Sequence, residues 1–150
     1  GEAPDAVLKR LAGDGKFHDC VDPDDGEAVP GLIVYRLYGP LIFANARYVV
    51  ARIRSLVGQA DGGLRCFVLD AQAISDIDVT AAQRFSELHH ELTEAGIELV
   101  IADSPRPFRE QLERIGLSTA VGSEHFFVSV KKAVEAFEER QSRTPGTMPG

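Results

Sequence analysis

Apolar residues fall into a few dense runs separated by polar, glycine-bearing breaks. The clearest unit covers residues 64–96. Cys66, Phe67, Val68 and Leu69 form a continuous apolar run closed by Asp70, a length that suits a strand covered on both faces. A polar joint follows: Ser75, Asp76, Ile77, Asp78, Val79 and Thr80. Ala81, Phe85, Leu88, Leu92 and Ala95 then recur at steps of three and four, so they share one helical face. Gly96 stops that helix. The joint lies at a strand's carboxyl end and feeds a helix start, a place where open α/β sheets favour ligand and switch sites.

The remaining pattern predicts the following elements. Ala6 to Leu11 reads as one or two helical turns, with Val7, Leu8 and Leu11 on one side and Gly13 and Gly15 ending it. Residues 17–21 suit a short edge strand, and the acidic stretch 22–27 a surface loop. Residues 30–37 are β-prone and nearly continuous. Gly39 and Pro40 break that strand, and Leu41, Ile42 and Phe43 read as a second short one. Asn45 suits an N-cap, ahead of Val49, Val50, Ile53, Leu56 and Val57 at helical spacing, closed by Gly58. Residues 97–102 form another strand. Ser104 followed by Pro105 reads as a cap with proline at the first helical position, and Phe108, Leu112 and Ile115 as that helix's inner face, ended by Gly116. Residues 125–127 suit a last short strand. Ser129 caps a final helix with Val130, Ala133, Val134 and Phe137 inward. Strands alternating with helices predict an α/β protein with one mainly parallel sheet. Residues 1–16 are expected to be a linker or helical turn, 17–140 one domain, and 141–150 a disordered tail.

Bulk properties narrow the function classes. The 150 residues suit one domain with a real core. A net charge of −7 argues against nucleic acid as a partner. No apolar run approaches the ~20 residues of a membrane span, and the N-terminus lacks the basic-then-apolar pattern of a secretory signal. Two cysteines make no disulfide framework and suit a reducing, cytosolic setting. The chain begins at Gly1 without an initiator Met, from which a larger parent protein is expected.

Several blocks then carry a resemblance. They are Pro30 through Tyr35-Arg36; Gly39-Pro40-Leu41-Ile42-Phe43-Ala44-Asn45-Ala46; Val68-Leu69-Asp70; Ile74-Ser75-Asp76-Ile77-Asp78-Val79-Thr80-Ala81; Leu88-His89-His90-Glu91-Leu92; and Gly96 running into Ile97-Glu98-Leu99-Val100-Ile101-Ala102. Over residues 17–137 the chain resembles a STAS domain, shared by sulfate transporters and bacterial anti-sigma factor antagonists. The Phe-Ala-Asn block resembles the transporter branch, the C-terminal cytosolic domain of sulfate permease-family anion transporters. The resemblance implies a STAS/anti-sigma-antagonist-like sheet of four to five strands with about four to five helices packed on one side. It implies a non-catalytic regulatory domain at the cytoplasmic face of the cell membrane. Implied partners are the transporter's own transmembrane domain, a second STAS domain or a cytosolic regulatory protein. No cofactor is required, and GTP or GDP is a candidate ligand. The alternative is a stand-alone anti-sigma factor antagonist controlled by Ser/Thr phosphorylation. In that branch a Ser or Thr follows the motif Asp and takes a phosphate; here Asp78 matches, but Val79 fills the acceptor position.

The candidate regulatory loop is therefore Ser75, Asp76, Asp78, Val79 and Thr80. Free amides at a helix start favour anions, while Asp76 and Asp78 already supply two negative charges there. Asp78 is read first as a bare cap, and Ser75 and Thr80 first as capping hydroxyls, with phosphosites as the alternative. Ser104, Arg106 and Arg109 are a candidate anion site on a loop-to-helix segment, or a solvated helix start. His89 and His90 are adjacent and point apart, unlike zinc ligands at i and i+4. His18, Asp19 and Cys20 lack a second metal-binding cluster, and Asp70 reads as a turn former. No nucleophile–base pair supports an enzyme.

Overall fold

In the computed structural model, described for residues 4–20, 22 and 24–143, six strands form one mixed sheet. They are β1 (Asp5–Arg10), β2 (Phe17–His18), β3 (Leu32–Leu37), β4 (Cys66–Asp70), β5 (Glu98–Ala102) and β6 (Phe126–Phe127). Their order is β2-β1-β3-β4-β5-β6. β3 to β6 run parallel, and β1 is antiparallel to both neighbours. Five helices complete the fold: α1 (Phe43–Gly58), α2 (Val79–Glu94), α3 (Arg106–Ile115), α4 (Leu117–Val121) and α5 (Val130–Arg143). The expected α/β class with a mainly parallel sheet holds, with six strands rather than four or five.

The first strand corrects the helical reading of residues 6–11. Ala6 and Leu8 are buried on one sheet face, with Val7 half-buried on the other. That is the period of two, not the helical one. Val7 pairs with Tyr35 and Leu8 with Val34. The Tyr35 hydroxyl donates to Asp5 Oδ2 at 2.7 Å, and burial holds that phenol protonated well above its ordinary range. The sheet therefore begins before residue 17.

Helices cover both faces, which corrects the one-sided expectation. Ile33, Tyr35, Phe67, Leu69, Leu99 and Ile101 meet α1, α2, α3 and α4. The alternating residues Leu32, Val34, Cys66, Val68 and Val100 meet Ala133, Val134 and Phe137 of α5. Strands buried on both faces need the continuous apolar runs seen in β4 and β5. The α2 stripe holds for Ala81, Phe85, Leu88 and Leu92, which are all buried, each large side chain contributing about 1.5–3 kcal/mol; Ala95, expected on the same face, is exposed at the helix end.

Three boundaries shift. Residues 41–43 are not a strand: Leu41 makes one isolated bridge to Ile77, and Phe43 already starts α1. Asn45 is the third helical residue rather than the cap; its Oδ1 accepts from the Ile42 N–H at 3.0 Å. Pro105 caps α3, so Ser104 lies one residue outside it and Pro107 occupies the first turn. The short helix α4 is not visible in the apolar pattern. Gly116, at φ 90°, ends α3 as expected and also starts α4. Of the expected tail, residues 141–143 extend α5, and 144–150 lie outside the described residues.

Candidate functional site

β3 and β4 both release the chain at the sheet's carboxyl end, and each exit leads into a helix on the same face. The two connecting loops are laced together. Leu41 N–H donates to Asp76 O at 2.8 Å, Asp78 N–H to Leu41 O at 3.2 Å, and Gly39 N–H to Ala73 O at 2.9 Å. The helix starts of α1 and α2 are thereby held side by side.

Asp78 joins them. Its Oδ1 accepts from the Ala81 N–H of α2 at 2.8 Å, the expected cap. Its Oδ2 accepts from the Phe43 N–H, the first amide of α1, at 2.9 Å. One carboxylate thus faces two positive helix ends, which is favourable for each. A third helix reaches the loop through Gln111 of α3, whose Oε1 accepts from the Ile77 N–H at 3.0 Å. Ile77 is buried, while Ser75, Asp76 and Thr80 are exposed.

Two large apolar side chains stand in solvent at this joint. Phe43 is 69% exposed and Val79 59%. Of the described large hydrophobics, only Val128 joins them as exposed. A groove of about 410 Å³ beside them is lined by Phe43, Ala44, Arg47, Thr80 and Arg84. Phe43, Arg47 and Arg84 are not apparent from the loop's sequence. Asp78 connects Phe43 to the loop across 35 residues of chain, and nothing in the local pattern marks Arg47 or Arg84.

The second candidate segment does not converge on the joint. Arg106 is splayed into solvent, 3.8 Å from Glu110. Arg109 stacks on the Phe126 ring, 4.7 Å from its centroid. Ser104 makes no cap. The two arginines of this helix start therefore do not form one anion cradle.

The other polar residues of note have local partners. Asp70 is fully buried; its Oδ2 accepts from Arg36 Nε at 2.8 Å and its Oδ1 from the Gln72 N–H at 3.2 Å. It is thus both a turn former and half of a buried ion pair. His18 Nε2 is 2.9 Å from Asp14, whose carboxyl is held below its ordinary range by the Lys16 N–H and by His18. His90 pairs with Glu94 at 3.0 Å. His89 is half-buried, and burial with nearby His125 and His90 lowers its pKa.

Residues 25–133 match the family described as STAS domain. The chain belongs to that family. The STAS domain here is 36% identical over 136 residues to a probable sulfate transporter of Mycobacterium tuberculosis, covering 91% of this chain and 24% of the relative. It spans about a quarter of that protein's length. A sulfate transporter family protein from Wolinella succinogenes has a crystal structure with TM-score 0.66 and 25% identity, covering 82% of this chain and 99% of that one. The murine Solute Carrier 26 family member A9 anion transporter, in its inward-facing state, matches with TM-score 0.81 at 15% identity, over 91% of this chain and 22% of that one. At that identity it shows the STAS fold alone. Among the described residues, no helix of this STAS domain is long and apolar enough to cross a membrane.

Proposed function

We propose that this STAS domain is a non-catalytic regulatory module of a sulfate or related anion transporter, lying at the cytoplasmic face of the membrane. It acts by docking the α1/α2 joint on the transporter's own membrane domain. The observation that carries this reading is the pair Phe43 and Val79, exposed together on helix starts that Asp78 ties in place. Exposed apolar groups held on a rigid frame suit recognition. Sulfate-transporter relatives covering most of this chain favour that context over a stand-alone antagonist. So does Val79, a hydrocarbon where the antagonist branch takes its phosphate. A second STAS domain or a cytosolic regulator are the other occupants to test.

The test is made in the full-length parent protein. Phe43→Ser with Val79→Asp, both at exposed positions, should alter labelled-sulfate uptake at equal membrane abundance while the isolated domain keeps its unfolding midpoint. Unchanged uptake would sink the docking reading.

The groove between Arg47 and Arg84 favours an anionic ligand at the same joint. Thr80 lines that groove with the two arginines, so a phosphate on Thr80 would meet both; Ser75, exposed in the same loop, is the other hydroxyl to test. GTP and GDP are the nucleotides to titrate. Amide shifts confined to residues 76–84 would support binding there, and no shift at saturating nucleotide would remove it.

A further inference from the structure

A second cleft, of about 480 Å³, opens at the same end of the sheet but on the α5 side. Its floor is the Arg36–Asp70 pair. One wall comes from the β2 segment and brings Lys16 and Asp19; the other brings Asp103, from the end of β5, and Lys131, from the first turn of α5. Clefts of this volume suit small molecules, and the carboxyl ends of parallel strands are where open α/β sheets place them.

The charges lining it are ordered. Arg36 is committed to the floor: Nε donates to Asp70 and Nη1 to the Tyr38 hydroxyl at 3.2 Å. With its amide oriented to match its neighbours, Gln72 links floor and wall, its oxygen accepting from Arg36 Nη2 at 3.2 Å and its nitrogen donating to Asp103 Oδ2 at 3.1 Å. Asp103 itself holds φ 56°, a left-handed conformation few residues other than glycine adopt. Its N–H is tied to Phe127 O at 3.0 Å. The α5-side wall thus presents one cation, Lys131, and one carboxylate, Asp103; the β2 wall presents Lys16 and Asp19 beside His18, whose Nε2 lies 2.9 Å from Asp14. Ser129 Oγ accepts from the Lys132 N–H at 3.1 Å, so that cap does not consume the Val130 and Lys131 amides at the positive end of α5.

A plain anion such as sulfate would meet Lys131 and the α5 amides, but also Asp19 and Asp103. A plain cation would meet the reverse conflict. A molecule carrying both charges satisfies the wall where Asp103 and Lys131 stand together with the α5 amides. We propose that this cleft binds a zwitterionic small molecule of the α-amino-acid class, its carboxylate at the α5 start beside Lys131 and its ammonium at Asp103. The inference does not depend on the docking role of the α1/α2 joint, since Phe43 and Val79 are not part of this cleft.

Titrating glycine, L-serine and L-glutamine into the isotope-labelled chain tests it. Saturable amide shifts are expected at 16–19, 103 and 129–131. Acetate and methylammonium, each carrying half of the charge pattern, should leave them in place. Asp103→Asn should weaken binding roughly tenfold or more, the loss expected for one charged hydrogen bond. Asn tolerates the left-handed backbone, so this variant keeps the local fold; Lys131→Gln, at an exposed site, is the second variant and should weaken binding similarly. The proposal is overturned if none of the three amino acids gives a saturable shift, if acetate or sulfate saturates the same amides, or if both variants bind as tightly as the parent.

Discussion

At the scale of single residues, Asp78 does the work of two caps. A conventional cap contributes about 1 kcal/mol to one helix; here the second oxygen serves another helix 35 positions away in sequence. Asp78→Ala should therefore cost about 1–3 kcal/mol in urea unfolding. Asp78→Asn, which keeps one acceptor oxygen, should fall between that variant and the parent. A loss under about 0.5 kcal/mol for the alanine variant would show that solvent replaces both bonds equally well. Asp78 as the cap of α2 is legible from its place before the Ala81–Leu92 stripe. The bond to Phe43 is not, because no local pattern states which loop lies alongside. The same holds for Arg36 and Asp70: both are visible at strand ends, but only the parallel register that places them side by side makes them an ion pair.

At the scale of elements, the long periodic segments are legible and the short ones are not. β4, α2 and β5 follow from apolar runs and steps of three and four, since burial on both faces leaves those positions no polar option. β1 misleads because Val7, Leu8 and Leu11 also satisfy a helical face, and six residues are too few to separate the two periods. What decides for the strand is the unpaired edge of β3, which β1 covers from Asp5 to Leu8. The apolar triplet at 41–43 misleads for the converse reason: its neighbours satisfy their backbone groups by starting a helix. The placement of β1 gives a prediction. A chain starting at residue 12 loses β1 and the two bonds from Arg10 to Glu138 of α5 at 3.0 and 3.1 Å. It also exposes the β3 edge, and exposed edges template aggregation. Light scattering should show concentration-dependent association, and the urea transition should lose cooperativity. A monomeric chain with an unchanged transition would mean that the sheet is complete without β1.

For the whole molecule, the two cysteines offer a readout of global opening. Cys66 lies in the central strand β4, 1% exposed, and burial pushes its thiol up to about 12. A protonated thiol is a poor nucleophile, so in the native state at pH 8 Cys66 reacts only through opening of the sheet. Cys20, half-buried in the β2 segment, does not share that protection. Iodoacetamide should modify Cys20 first, with Cys66 modified only as urea approaches the unfolding transition, at a rate that tracks the global stability. Equal rates for the two thiols would mean that the strand opens locally. This also marks where sequence reading ends: burial of Cys66 is legible from its apolar run, whereas its protection is a property of the sheet and of the helices on both its faces.

The exposure of Phe43 and Val79 sets a scale for any partner that would cover them. Covering what remains exposed of the two side chains would release about 2–4 kcal/mol, before any loss from immobilisation. The upper end of that range corresponds to a millimolar dissociation constant. A partner diffusing freely at micromolar concentration would leave such a face almost empty. A partner joined to the same polypeptide by a short flexible linker experiences an effective concentration in the millimolar range, which would hold the face closed about half the time at most. A contact poised in this way changes occupancy with small changes in linker geometry or local charge.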